Sequence, residues 1–126
     1  MTINHLNLIV TDVPRVVQFF ETYFGFTCEA VKGDYVLAVL KNQENFTLVL
    51  MMHKNGGAIY PQDFHIGFMV DSSEQVDALC AKLAAGETGI TQSPRKIRDS
   101  YAFYFYFDNL FIEVGHYLNK KCAASD

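Results

Sequence analysis

Asp63-Phe64-His65-Ile66-Gly67-Phe68-Met69-Val70-Asp71 decides how this chain is read, because it repeats Asn4-His5-Leu6-Asn7-Leu8-Ile9-Val10-Thr11-Asp12. In both stretches a histidine opens a run in which apolar residues alternate with others: Leu6, Leu8 and Val10 in one, Ile66, Phe68 and Val70 in the other. That period of two marks a strand with one face on a core. From position 5 to position 65 the offset is 60, close to half the chain of 126 residues. Helical patterns follow both strands at the same offset, with Val16 matched by Val76, Phe19 by Leu79 and Phe20 by Cys80. The chain reads as two copies of one module, each led by a histidine.

Outward from these strands, the first module runs over about residues 2–53. After a strand at 3–11, Asp12 is placed to cap a helix with Pro14 in its first turn, and Gly25 to end it. Three strands follow at 26–31, 35–41 and 46–52, the last apolar on both faces. Lys54-Asn55-Gly56-Gly57 opens a linker at about 54–62. The second module, about 63–118, repeats the order. It has a strand at 64–70, then a helix opened by a Ser72/Gln75 capping box and ending near Gly86. Strands follow at about 90–94 or somewhat beyond, 101–107 and 110–117, the last two joined by a tight Asp108-Asn109 turn. Residues 119–126 form a polar tail. The expected architecture is α+β: two βαβββ modules in a single domain, forming a cupped mixed sheet with the helices on its outer face.

Composition narrows the function. Half the residues are hydrophobic and 14% aromatic, so a packed globule is expected. A net charge of −4, with no basic run beyond Lys120-Lys121, gives no phosphate-binding face and argues against nucleic acid. The apolar runs are far short of the ~20 residues a membrane helix needs. Met1-Thr2-Ile3 leads straight into a strand without a signal segment, so a cytoplasmic location is expected. Cys28, Cys80 and Cys122 form no CxxC pair, which fits reduced thiols; Cys80 falls on the apolar stripe of a helix and Cys122 in the polar tail.

Strand parity assigns the faces. His5, Asn7 and Ile9 share one side of the first strand, and His65, Gly67 and Met69 the matching side of its repeat. In the last strand Glu113 lies with Phe111 and Gly115, opposite Leu110, Ile112 and Val114. If the apolar faces meet the helices, His5, His65 and Glu113 point together to the other face. Two imidazoles and a carboxylate make a metal triad with open coordination positions, and an unpaired carboxylate among Phe111, Ile112 and Val114 is otherwise costly. Pairing of Glu113 with a basic side chain, or its escape to solvent, stays open as the plainer reading.

The repeat with a leading histidine in each half, the helix ending Tyr23-Phe24-Gly25-Phe26, and the Tyr101-to-Glu113 segment resemble the vicinal oxygen chelate superfamily. That group includes glyoxalase I, fosfomycin-resistance thiol transferases, bleomycin-resistance proteins and extradiol dioxygenases. The resemblance implies His5, His65 and Glu113 as ligands of a divalent ion (Fe, Mn, Ni, Zn or Co), with Glu113 in the catalytic pocket; Asn7, on the same face two residues from His5, is expected to join it there. The resemblance also implies a small oxygen-bearing substrate, and a homodimer. Glyoxalase I itself is not expected, since that enzyme has a further carboxylate in the fourth strand, where residues 46–52 carry none. Asn7 stands where fosfomycin transferases carry a threonine, and the turn before the glutamate is shortened to Asp108-Asn109. Extradiol dioxygenases usually join two such double modules.

The expected function is a small metal-dependent lyase, transferase or dioxygenase. The alternative is a metal-free drug- or metabolite-binding protein of the bleomycin-resistance type, and a third reading is a vestigial site in a structural dimer. Of the remaining side chains, His53 reads as a solvated loop residue and His116 lies opposite Glu113. Arg95, Lys96 and Arg98 are either solvated or at the mouth of an anion-binding pocket, and parity alone does not say which tyrosine of 101–106 faces a ligand.

Overall fold

The computed structural model describes residues 1–53, 59–86 and 88–118. The polar tail, Cys122 and the first residues of the expected linker lie outside them. The chain falls into two compact units, Met1–Tyr60 and Pro61–Asp126.

The first unit contains β1 (His5–Val10), α1 (Val13–Tyr23), β2 (Thr27–Lys32), β3 (Leu37–Lys41) and β4 (Thr47–Met52). The second contains β5 (Ile66–Met69), α2 (Ser73–Ala85), β6 (Arg95–Ile97), β7 (Ser100–Phe107) and β8 (Leu110–Tyr117). Each unit has one four-stranded mixed sheet, ordered β1-β4-β3-β2 and β5-β8-β7-β6. The first and last strands of each unit pair in parallel, while the others pair antiparallel. The two βαβββ modules therefore share one topology as well as one sequence pattern. Among the described residues no helix is long and apolar enough to cross a membrane.

Local chemistry sets the helix ends. The Asp12 carboxylate accepts from the Arg15 amide at 3.2 Å, with Pro14 in the first turn, and Gly25 follows the helix at φ +72. Ser72 caps α2 by accepting from the Gln75 amide at 3.2 Å. The Gln75 side chain reaches back to the Asp71 amide at 2.8 Å, one residue before the cap rather than the cap itself.

Parity then decides burial. Leu8, Ala38, Leu40, Leu48 and Leu50 are sealed on the face of the first sheet that meets α1. Phe103, Phe105, Leu110, Ile112 and Val114 do the same beneath α2. Each leucine or phenylalanine so buried contributes on the order of 1.5–3 kcal/mol. The opposite face of β4 carries half-buried Thr47, Val49 and Met51. Cys80 is buried with its thiol 3.7 Å from the Gln92 carbonyl, and burial pushes its pKa upward, as suits an inert core thiol.

Among the boundaries that differ from the sequence expectation, three have a clear physical reason or bear on the site. The sixth strand covers Arg95–Ile97, beyond the residues 90–94 on which the expectation centres. It is an edge strand paired only with β7, so alternating charged residues are tolerated there, where periodicity carries no signal. Tyr35 stands at φ +57 in the turn before β3, which starts at Leu37. β5 begins at Ile66, which leaves His65 at its mouth. Beyond the expected linker's undescribed start, the Tyr60 hydroxyl bridges Ile9, accepting from its amide at 2.7 Å and donating to its carbonyl at 2.8 Å. This occupies backbone groups on the free edge of β1.

Close packing in the second sheet depends on Gly115, where a Cβ would lie 3.0 Å from the Ala102 Cβ and 3.4 Å from the Met69 sulfur. Gly115→Ala should destabilise the protein by roughly 1–3 kcal/mol through overpacking. Adding Ala102→Gly should recover most of the loss, both read as urea midpoints.

Candidate functional site

The open face of the second sheet is built by register. Parallel pairing of β5 with β8 sets Gly67 opposite Glu113 and Met69 opposite Gly115. Antiparallel pairing of β7 with β8 sets Tyr104 opposite Glu113 and Tyr106 opposite Phe111. Gly67 leaves room for the carboxylate: a Cβ there would stand 3.4 Å from Glu113 Oε1. Phe111 stacks on Tyr104 and Tyr106, with centroids 5.3 and 4.5 Å apart, and the His65 ring meets Tyr104 and Phe111 edge-on. An open cleft of about 600 Å³ runs over this face, lined by His65, Tyr104, Phe111 and Glu113, with Asp63, Arg98 and Asp99 among its other walls.

The geometry of His65 fixes its protonation pattern. Its Nδ1 lies 2.8 Å from the Asp63 carbonyl, an acceptor only, so Nδ1 carries the hydrogen. The neutral ring then has a lone pair on Nε2, and Nε2 lies 3.3 Å from Glu113 Oε1. Two acceptors face one another across that gap, an arrangement that calls for a proton or a cation between them. The Glu113 side chain is only 13% exposed, and Tyr104, its ladder partner, stands close enough to interact with its carboxylate.

His5 and Asn7 lie on the corresponding face of the first unit, both exposed. His5 repeats the pattern of His65, its Nδ1 2.7 Å from Asn4 Oδ1, which leaves Nε2 as the free lone pair. The Asn7 amide donates to the Met51 sulfur at 3.0 Å. The structure thus brings His65 and Glu113 together within one unit, and His5 with Asn7 on one strand of the other. Among the described residues no group of three or more His, Cys, Asp or Glu side chains is arranged to hold a metal ion. His116 is turned away from Glu113, as parity requires, with Nδ1 3.0 Å from the Val70 carbonyl. His53 is exposed.

Tyr104, Phe111 and the Asp63 carbonyl are the site groups not singled out from sequence. The signal for Tyr104 was present: a two-residue Asp108-Asn109 turn pairs Phe107 with Leu110, and counting back places Tyr104 opposite Glu113. The Asp63 carbonyl had no signal, because any residue supplies one.

Burial raises the Tyr104 pKa above its ordinary 10.0, with its hydrogen bond to Glu113 and that carboxylate's charge adding to the rise and Arg98 opposing it. The folded state favours the protonated phenol, so this contribution to stability is whole below the ordinary tyrosine pKa and is lost as pH climbs through the native one. Glu113→Gln should move the Tyr104 ionisation back toward the ordinary range in an ultraviolet or NMR pH titration. An unchanged Tyr104 titration would contradict the hydrogen bond.

Comparison with known proteins places these observations in a family. The family model for the glyoxalase/bleomycin resistance protein/dioxygenase superfamily matches residues 2–111. A solved structure described as a possible glyoxalase from Bacillus cereus is 39% identical, with a TM-score of 0.79 over 90% of this chain and 97% of that one. The fosfomycin resistance protein FosX from Listeria monocytogenes, solved as a mutant with Mn(II) and 1S,2S-dihydroxypropylphosphonic acid, shares the fold. Its TM-score is 0.75 at 20% identity, over 99% of this chain and 98% of that one. A trivalent organoarsenical cleaving enzyme from Bacillus sp. strain MD1 is 36% identical over 87 residues, 68% of this chain and 50% of that relative. The chain thus spans about half the length of that curated relative. With a family match over most of its length and the module repeated in both units, the chain belongs to the glyoxalase/bleomycin resistance protein/dioxygenase superfamily.

Proposed function

We propose that this protein is a divalent-metal-dependent enzyme in which His65 and Glu113, together with His5, hold the ion and a small oxygen-bearing substrate completes its coordination. The observation that carries the reading is the 3.3 Å approach of His65 Nε2 to Glu113 Oε1, with Nδ1 of the same ring 2.8 Å from the Asp63 carbonyl, so that Nε2 is the nitrogen turned to the carboxylate. A histidine whose Nδ1–H donates to a backbone carbonyl is held in the tautomer and orientation a metal ligand needs, and His5 offers the same lone pair. Relatives named as enzymes, and a FosX structure that contains Mn(II), support a metal-dependent activity in the superfamily.

The chain's own groups have distinct tasks. The Asp63 carbonyl fixes the His65 tautomer, and Tyr104 stands opposite Glu113, where its hydroxyl can support the carboxylate. Gly67 keeps the approach to Glu113 clear. The rings of Tyr104 and Phe111 wall the cleft on one side and limit water there. Asn7, exposed two residues from His5, is a hydrogen-bonding group for substrate. A bound dication would act as a Lewis acid on substrate oxygens. Fe, Mn, Ni, Zn and Co all accept this donor set. An isomerase of the glyoxalase I kind is disfavoured, because Val49, paired with Asn7 as Glu113 is with Gly67, leaves β4 without a carboxylate. The half-buried Val39, Val49 and Met51 on the open face of the first sheet favour a homodimer.

One feature supports a second reading, a metal-free binding protein: the Tyr104–Phe111–Tyr106 stack, which offers a flat apolar surface to a ligand. Elemental analysis separates the two. Protein purified without chelator should carry near-stoichiometric metal that His65→Ala and Glu113→Ala both lose, and His5→Ala should weaken uptake. Tyr104→Phe should cost about tenfold or more in metal affinity, as second-sphere partners do. Protons compete for the same lone pairs, so uptake should fall on acidification. No metal in the wild type, and none taken up from added Fe(II), Mn(II), Ni(II), Zn(II) or Co(II), would overturn the enzyme reading.

A further inference from the structure

β6 and β7 are joined by a two-residue loop, Arg98-Asp99, closed by the pairing of Ile97 with Ser100. Arg98 stands at φ +54, a conformation that glycine adopts without penalty and a long side chain does not. The comparable position in the next hairpin is Asp108, at φ +56, and aspartate tolerates that region. The arginine is thus the unexpected occupant.

Arg98 lines the same cleft as His65, Tyr104, Phe111 and Glu113. It lies near enough to Tyr104 for its charge to act on that phenol. Asp63 and Asp99 also line the cleft, yet among the described residues no carboxylate forms an ion pair with Arg98. The guanidinium is the one permanent positive charge on the described lining, and its donors are uncommitted. The other cations of this segment do not line it: Arg95 lines an adjoining hollow that shares only Tyr104 and Phe111 with the cleft, and Lys96 pairs with Tyr101 in the ladder.

We infer that Arg98 is the anion anchor of this cleft, gripping the carboxylate or phosphonate end of a small substrate whose remaining oxygens face His65 and Glu113. The planar fork of a guanidinium suits two oxygens of either group. The direction of the substrate's reacting end rests on the proposed function; the anchor itself does not. Because Asp63, Asp99 and Glu113 oppose an anion, a dication held at His65 and Glu113 would strengthen binding at Arg98.

The test is calorimetric titration of the full chain with methylphosphonate and with acetate, metal-free and after Mn(II) loading. Arg98→Gly removes the fork while easing the positive φ, so its unfolding temperature should equal or exceed that of the wild type. Its affinity for the preferred probe should nevertheless fall about tenfold or more in either metal state. Arg95→Ala should bind as the wild type does, and Arg98→Lys should retain part of the affinity. Equal affinity in wild type and Arg98→Gly, or no binding of either probe by the wild type in either state, would overturn the anchor. Metal content, measured on the same samples, reports separately on His65 and Glu113. Arg98-dependent anion binding in a protein that takes up no metal would sink the metal reading and leave the anchor standing.

Discussion

Parallel pairing of β5 with β8 is the constraint on which the site depends. Parallel neighbours cannot be joined by a short turn, so a helix and two further strands intervene between them in sequence. The outcome is that Gly67, two residues after His65, faces Glu113 near the other end of the module. A slip of one residue would turn Glu113 toward α2 and bring a neighbouring apolar side chain to the open face. Burial of Ile112 and Val114 beneath that helix opposes such a slip. The core therefore holds the carboxylate in place, and the same apolar contacts that stabilise the unit aim its polar group.

The two units show what that placement costs. They share strand order and register, yet His5 has Thr47 as its cross-strand neighbour and Asn7 has Val49, where the second unit sets Glu113 against Gly67. A half-buried carboxylate is unfavourable unless something offsets its lost hydration. In the second unit Tyr104 stands opposite it, His65 approaches it, and Gly67 makes room. The first unit has no such arrangement around Val49, whose neighbours on that face include half-buried Val39 and Met51. One module carries the polar pair, and the other offers a lone histidine and an amide.

Much of this was legible in the sequence because the physics behind it is local or periodic. The 60-residue repeat, the Asp12 and Ser72 caps, the Asp108-Asn109 turn and the face shared by His65 and Glu113 all follow from spacing and side-chain chemistry. The position of β6 is only loosely legible, because an edge strand of Arg, Lys and Ile has no burial pattern to announce it. Tyr35 looked like strand because aromatic residues favour strands, but the preceding Gly33 and Asp34 turn extends through it. Tyr104 was concealed among five aromatic neighbours, although turn length and register together single it out. The tautomer of His65 depends on a backbone carbonyl, which no residue type encodes.

Backbone strain is distributed in a way that bears on function. Five described non-glycine residues have positive φ: Tyr35, Asn45, Asp63, Arg98 and Asp108. Asparagine and aspartate enter that region readily, which accounts for Asn45, Asp63 and Asp108. Asp63 and Arg98 both line the cleft of His65 and Glu113. At Asp63 the left-handed backbone accompanies the carbonyl that receives the His65 hydrogen. At Arg98 a long side chain is held where it costs on the order of 1–3 kcal/mol. Tyr35, in the other unit, shows that such a cost also occurs in an ordinary turn, so strain by itself assigns no role. What distinguishes Arg98 is the combination of that cost with an uncommitted charge in a cleft that already holds a histidine and a glutamate, and it is this conjunction that makes the turn part of the site.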